Sequence, residues 1–195
     1  MSYSTLARNN MLGGLGATHL SAHTAYSSTG ASEVTGGTPA YARKAVTYAA
    51  PAAEAMAAST TPVFDIPAGT TVRFIGKWTG LAGSFLGMEA NGGSENEFSV
   101  DVTADTVKVP AHGYAANQKI VFYGDTVPAG LVEGTVYFAV TITTDTFQVS
   151  ATSGGAAINI TGEPGRKCVV SAIVEEVFAA QGTLTVNANT QRLDA

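Results

Sequence analysis

The sequence predicts an all-β protein: a β-sandwich, jelly-roll-like host domain with a short N-terminal helix, and a small β-barrel or sandwich domain inserted into it. Short runs rich in Thr, Val, Ile, Tyr and Phe alternate with clusters of Gly, Pro, Asn and Ser, which is the pattern of strands and turns. The spacing of these runs favours a sandwich or barrel over an alternating βαβ fold. A Gly-rich joint at residues 91–94 divides the chain.

A helix is predicted near the N-terminus. Ser4 or Thr5 can cap its first turn. Glycines between positions 13 and 16 end it. Its apolar positions form a partial stripe, made of Leu6, Met11, Leu12 and Leu15.

Strands are predicted along the rest of the chain. Two Pro-Ala-Gly segments, at residues 67–69 and 128–130, are tight turns, because Pro fixes φ and Gly accepts a positive φ. The Ala-rich stretch Ala49–Ala58 fits either a helical turn or, because of Pro51, a loop or irregular edge. The expected strands are Thr18–Thr24, Ala42–Ala49, Thr61–Ile66, Thr71–Trp78, Phe85–Ala90, Phe98–Val102, Thr106–Val109, Lys119–Tyr123, Thr135–Ile142, Thr146–Ser150, Ala157–Ile160, Cys168–Glu175 and Gly182–Val186.

The joint at residues 91–94 sets the domain organisation. The following segment, to about Val174, has the pattern of a self-contained β unit, whereas Phe178–Val186 is too short to fold alone. We therefore predict a discontinuous host domain, residues 1–94 plus 175–195, with an inserted domain at residues 95–174. An exposed loop tip is the least disruptive place for such an insertion.

Composition limits the classes of function. Charged residues make up 13% of the chain, about half of the usual ~25%, and apolar residues make up 45%, enough for a core. The net charge is −5 with 10 Lys plus Arg, which argues against nucleic-acid binding. No signal-peptide pattern and no apolar run near ~20 residues occur. We expect synthesis in the cytoplasm and no membrane partner.

The candidate metal ligands and thiol have structural interpretations. His19 and His23 share one face of a predicted strand, but their segment holds no Cys or carboxylate to complete a metal site. His112, in Ala-His-Gly, is expected to serve a turn between strands. The single cysteine, Cys168, excludes an internal disulfide and fits a buried strand, where it acts as a small hydrophobe.

The carboxylates do not form a recognisable catalytic or calcium pattern. Glu175 and Glu176 are adjacent, so on a strand they point to opposite faces. No phosphate-binding loop or nucleophile elbow is present. We expect no enzymatic activity, no metal and no cofactor. Four aspartates near strand ends are expected to cap turns: Asp101, Asp105, Asp125 and Asp145.

The aromatic residues are the remaining indication of binding. Trp78 and Phe85 are expected to anchor the host core. In the insertion, adjacent pairs such as Phe122–Tyr123 place one ring inward and one outward on a strand. Outward rings could contact a glycan or a neighbouring subunit, although packing against turns explains them equally well. The candidates for surface contact are Tyr114, Tyr123 and Tyr137.

Five segments of the predicted host domain resemble one family, that of small phage virion proteins commonly labelled tail-fibre or minor tail proteins. The resemblance implies a phage structural role and covers the whole host domain. The segments are Thr29–Arg43, Phe64–Val72, Gly76–Trp78, Gly83–Gly87 and Gln181–Val186.

The predicted insertion resembles a second module that is widespread in phage surface proteins, where it occurs in repeats and as an addition to fibres and adhesin-like proteins. Here it occurs once, in a loop where the host family usually has no insertion. The segments that carry the resemblance are Ala104–Val107, Ala111–Tyr114, Pro128–Leu131, Gly134–Phe138, Thr146–Ser150 and Gly154–Ile158.

Together these resemblances imply a non-enzymatic structural protein on the surface of a tailed bacteriophage virion, with major capsid or tail proteins as partners. We expect a homo-oligomer, most simply a trimer. The absence of heptads, collagen-like repeats or a fibrous shaft favours a capsid decoration protein. The alternative is a tail-fibre or minor tail protein that binds host carbohydrate through the inserted domain.

Overall fold

The computed structural model describes residues 4–53, 55–187 and 189–192 and shows a mostly β protein with one short helix and several sheets. The predicted all-β class is confirmed at this level. The chain divides into two compact units. Unit 1 comprises Met1–Thr24, Ser28–Met88 and Val177–Ala195, and unit 2 comprises Ala25–Ser27 and Glu89–Glu176.

One helix and many short strands make up the described residues. Helix α1 spans Thr5–Gly13. The strands are β1 His19–His23, β2 Lys44–Ala45, β3 Ala55–Ala57, β4 Val63–Ile66, β5 Thr70–Val72, β6 Phe74–Trp78, β7 Phe85–Ala90, β8 Glu95–Glu97, β9 Ser99–Asp101, β10 Thr106–Lys108, β11 Lys119–Tyr123, β12 Val136–Val140, β13 Thr146–Ser150, β14 Val169–Ala172, β15 Glu176–Phe178, β16 Gly182–Thr185 and β17 Thr190–Arg192.

Helix α1 begins and ends where the sequence predicts. The Ser4 side chain accepts a hydrogen bond from the Ala7 backbone N–H at 3.2 Å, which is the N-cap geometry. Of its apolar positions only Leu12 is buried. The helix therefore contacts the rest of unit 1, chiefly β3, through one narrow side.

In unit 1, strand β1 is central in a four-stranded sheet of order β2-β1-β6-β7. It pairs antiparallel with β6, from His19 opposite Trp78 to His23 opposite Phe74. Three two-stranded ribbons complete the unit: β15-β5, β16-β4 and β17-β3. The buried core consists of Leu20, Ala22, Val34, Val46, Phe64, Ile66, Val72, Ile75, Leu184 and Val186.

In unit 2, seven antiparallel strands form one sheet of order β8-β14-β11-β12-β13-β10-β9. Strands β8 and β9 lie at opposite ends of this order, yet only Phe98 separates them along the chain. Because consecutive Cα atoms are ~3.8 Å apart, the sheet curls until its two ends meet. The core consists of Val107, Val109, Ile120, Phe122, Leu131, Tyr137, Ala139, Phe147, Val149, Ile160 and Val170.

The two ends of unit 2 are joined by hydrogen bonds. The Val174 N–H donates to the Asn91 carbonyl at 2.9 Å, and the Asn91 side-chain amide donates to the Val174 carbonyl at 3.1 Å. A side chain at Gly92 would lie 2.8 Å from Val174. The entering and leaving strands, β8 and β14, are also direct neighbours.

Several strand predictions need correction. The single strand expected at Thr71–Trp78 is two strands, because β5 pairs with β15 and β6 pairs with β1, and the chain changes partner at Arg73. In Ala42–Ala49 only the two residues of β2 form a strand. Residues 157–160 form none, since the Ile160 N–H donates to the Asp105 carboxylate at 2.8 Å instead of to a neighbouring strand.

Candidate assembly surface

Few charged side chains reach the surface of unit 1: of those whose burial the structure describes, none is fully exposed, and Lys44 and Asp65 are about a third exposed, at 32% and 30%. Its exposed positions are occupied by Ala, Gly, Ser, Thr, Asn, Pro, Leu, Met and Val. No Asp, Glu, Lys or Arg lies between Arg8 and Glu33, and this feature of the surface could have been predicted from the sequence alone. The charged residues of unit 1 whose burial the structure describes are all partly buried: Arg8, Glu33, Arg43, Lys44, Asp65, Arg73 and Lys77.

Two of these basic side chains are neutralised by acidic partners. The Arg43 guanidinium donates to the Glu33 carboxylate at 2.8 Å, with the two side chains only 17% and 19% exposed. The same guanidinium lies 3.2 Å from the centroid of the Trp78 ring, a cation–π contact. Lys44 pairs with Asp65 at 3.3 Å. The ion pairs are therefore made inside the unit and are not offered to a partner.

The other two strand cations are held by backbone carbonyls. Arg73 Nη1 donates to the Thr24 carbonyl at 2.9 Å, and Lys77 Nζ donates to the Thr190 carbonyl at 3.0 Å. Both contacts lie within unit 1. The described outer surface consists mainly of neutral polar and apolar groups.

Large exposed apolar side chains also concentrate on unit 1. Seven of the ten exposed large hydrophobic residues in the described chain belong to it, and three of these lie on or directly after α1. Single exposed apolar residues are normal on a protein surface, and these seven lie on several separate elements of unit 1. They are Leu6, Met11, Leu15, Val63, Leu81, Leu86 and Val177.

Unit 2, in contrast, exposes many charged side chains. By sequence, unit 1 holds six basic and four acidic residues, whereas unit 2 holds four basic and eleven acidic residues. The net charge of −5 is thus divided as +2 and −7. The charged residues exposed on unit 2 are Glu95, Glu97, Asp101, Lys108, Asp125, Glu133, Asp145, Glu163, Arg166, Lys167 and Glu176.

A buried hydrogen-bond chain fixes one face of the unit 1 sheet. Trp78 Nε1–H donates to Ser21 Oγ at 2.6 Å, and the Ser21 hydroxyl donates to His23 Nε2 at 2.6 Å. His23 Nδ1–H donates to the Ala31 carbonyl at 2.9 Å, and because a carbonyl can only accept, this bond fixes the tautomer. Burial lowers the pKa of His23.

This chain of hydrogen bonds positions the loop at residues 30–33. A Cβ on Gly30 would lie 2.7 Å from the Trp78 ring and 2.8 Å from Phe85, so the backbone rests directly on the aromatic rings. Ser21 and His23 are both 0% exposed, so no substrate reaches this Ser–His pair in the structure. His19, on the same strand face, contacts the Thr18 hydroxyl at 3.0 Å.

Two of the predicted surface-contact tyrosines are buried, and this corrects the prediction. Tyr123 is 3% exposed, and Tyr137 is 6% exposed. The Tyr123 hydroxyl donates to Glu95 at 3.0 Å and accepts the Ala90 N–H at 3.2 Å. The alternation rule failed at Tyr123 because both faces of β11 are covered, the second by Tyr26, whose ring centroid is 5.3 Å away.

Tyr137 and Tyr114 belong to the core side of unit 2. The Tyr137 hydroxyl accepts the Val132 N–H at 2.9 Å, and its ring packs in the core. Tyr114 is half-buried, with its ring 5.3 Å from that of Phe147 and its hydroxyl accepting from Asn96 at 3.2 Å. Burial raises the pKa of both Tyr114 and Tyr123. Only Tyr114 retains partial access to solvent.

The remaining candidates take part in local structure. His112 Nδ1 accepts the Tyr114 N–H two residues on, at 2.9 Å. Asp101 ends β9 and accepts two backbone N–H groups of the following turn, as predicted. Glu175 pairs with Lys119. Cys168 is 3% exposed, and burial raises the pKa of its thiol to about 12.

Comparisons with protein-family models, with curated proteins and with solved structures gave no match to this chain. Among the described residues, no three His, Cys, Asp or Glu side chains are grouped so that they could hold a metal ion. The same residues include no helix with the length and apolar character of a membrane-spanning segment.

Proposed function

We propose that this chain is a non-enzymatic structural protein of a tailed bacteriophage virion, most simply a capsid decoration protein. In this proposal the host domain is a β-sandwich that attaches to the particle, and the insertion is a small closed β-barrel that projects outward. The observation that carries the proposal is the scarcity of charge on the described exposed surface of unit 1. The phage assignment itself rests on the resemblance of the sequence segments given above.

An uncharged surface is suited to burial. Soluble domains expose roughly 25–35% charged residues, whereas the buried centre of an interface is depleted of charge. Covering unit 1 would strand little charge without a partner, because Arg43, Lys44, Arg73 and Lys77 already have partners within it. Its exposed apolar side chains would gain from the same burial.

The acidic surface of unit 2 is suited to the outside of a particle. Like charges on many copies repel one another and keep neighbouring particles apart. The same surface does not favour polyanions such as nucleic acid or anionic cell-wall polymers. With Tyr123 and Tyr137 buried, two of the three aromatic rings expected to stack on sugars are not presented and only Tyr114 is partly accessible, which favours decoration over glycan binding.

Electron microscopy of intact particles tests the proposal. Gold-tagged antibody against unit 2 should label the head at many positions, with pre-immune antibody as the control. Label confined to the tail tip would replace decoration by a fibre or minor tail role. Absence of this chain from purified, structurally complete particles would overturn the virion role.

A further inference from the structure

The turn near the start of the 89–176 segment contains the only Asn-Gly dipeptide of the chain. Of the eight asparagines in the sequence, only Asn91 is followed by Gly. The Gly93 N–H donates to the Ala90 carbonyl at 3.4 Å, so Asn91 and Gly92 are the two central residues of a β-turn. Gly92 is exposed and Asn91 is half-buried, so water reaches this turn.

The fold requires Gly at the second of these positions. Gly92 has φ +69°, and a Cβ there would lie 2.8 Å from the Val174 side chain. A residue without a side chain also leaves its backbone nitrogen open to an approaching group. Gly92 is thus the residue that leaves an asparagine of this chain most open to attack by the following backbone nitrogen.

We propose that Asn91 is a deamidation site and that the reaction breaks its pairing with Val174. Asparagine is among the thermolabile residues. In mildly alkaline water, hydroxide removes the Gly92 amide proton and the nitrogen bonds to the side-chain carbonyl carbon of Asn91. The bond from that carbon to the side-chain nitrogen breaks, and ammonia leaves. Water then hydrolyses either C–N bond of the cyclic imide, which yields aspartate or isoaspartate.

The pairing depends on the group that this reaction removes. The Asn91 side-chain amide donates to the Val174 carbonyl at 3.1 Å, and a carbonyl can only accept. A carboxylate donates no hydrogen bond, so the Val174 carbonyl loses this donor in either product. Isoaspartate also lengthens the main chain by one carbon, beside the Asn91 carbonyl that accepts the Val174 N–H at 2.9 Å. The new negative charge falls in a unit whose net charge is already −7.

Asn117 provides a matched control within the same unit. Its side-chain oxygen accepts the Gly154 N–H at 2.6 Å, a role that a carboxylate oxygen retains. The residue after it is Gln118, whose side chain hinders attack by its backbone nitrogen. Asn91 and Asn117 therefore differ both in the expected reaction and in what the loss of the amide does to the fold.

Peptide mass spectrometry of the full chain, aged in mildly alkaline buffer, measures the reaction. The fraction of amide lost at Asn91 should exceed the fraction lost at Asn117 and at every other asparagine. Asn91 that stays intact in the aged chain, or that reacts no faster than Asn117, would overturn the proposed site.

Hydrogen exchange measures the consequence. The Val174 N–H should exchange about fivefold faster or more in Asn91→Asp than in wild type, because the pairing has lost a hydrogen bond. Asn117→Asp should leave the Gly154 N–H as protected as before. The aged wild-type fraction that anion exchange separates by its added charge repeats the test without a substitution, and circular dichroism checks that each sample is folded. Unchanged exchange at Val174 in both Asn91→Asp and the aged fraction would overturn the loss of pairing.

Discussion

Acidification is expected to destabilise unit 1 through His23. Its pKa in the folded chain is lowered from 6.5 by burial, so above pH 6.5 the ring is neutral in both states and contributes no pH dependence. Below pH 6.5 the unfolded chain takes up a proton that the folded chain does not. The free energy of unfolding then falls by up to ~1.4 kcal/mol per pH unit, until the folded pKa is reached.

The local geometry explains why the folded state resists the proton. His23 is 0% exposed, and its Nε2 already accepts the Ser21 hydroxyl hydrogen. A second ring proton would turn Nε2 into a donor, and the Ser21 hydroxyl hydrogen would lose its acceptor. That hydrogen cannot turn toward the indole instead, because Trp78 Nε1–H already donates to Ser21 Oγ. When the folded pKa lies well below 5.5, the free energy of unfolding at pH 5.5 should be about 1.4 kcal/mol lower than at neutral pH.

Urea unfolding at a series of pH values between 7.5 and 5 measures this loss. Wild type should lose stability faster on acidification than His23→Gln, which cannot titrate. Equal slopes for wild type and His23→Gln, or a folded His23 pKa at or above 6.5 by NMR, would refute the reasoning.

Two backbone predictions follow from positive φ angles. Thr141 has φ +51°, and Thr141→Gly should stabilise the chain by about 0.5–1 kcal/mol, whereas Thr144→Gly, where φ is not positive, should destabilise it by a similar amount. Gly30→Ala and Gly36→Ala both place Ala at positive φ, but only Gly30 faces Trp78 at 2.7 Å. Gly30→Ala should therefore lower the melting temperature clearly more, and equal losses would contradict the close contact.

The elements predicted correctly are those marked by signals within a few neighbouring residues, such as a helix cap or an adjacent turn. The Ser4 cap and the following glycines located α1, and the alternating strands Phe85–Ala90, Lys119–Tyr123 and Thr146–Ser150 have the predicted bounds. Strand β3 escaped prediction because its residues, Ala-Met-Ala, have low β propensity, and its pairing with β17 comes from a segment far along the chain.

The candidate surface was harder to predict, because exposure depends on what covers each strand. For Tyr123 the alternation rule assumed one open face, yet β11 is central in its sheet and Tyr26 covers the other side. The low charge content was visible in the sequence, but its division between a unit of net charge +2 and a unit of net charge −7 required the chain to be partitioned in space.

The pairing of Asn91 with Val174 makes the segment between them an insertion that could be exchanged. Asn91 and Val174 are bonded through two hydrogen bonds, so the residues between them leave and rejoin the chain at one point. A domain with similarly spaced ends could replace it at this joint, provided that it also packs against residues 25–27, which belong to unit 2 and place Tyr26 over β11. The joint is therefore a place at which a foreign domain with closely spaced ends can be grafted into the chain.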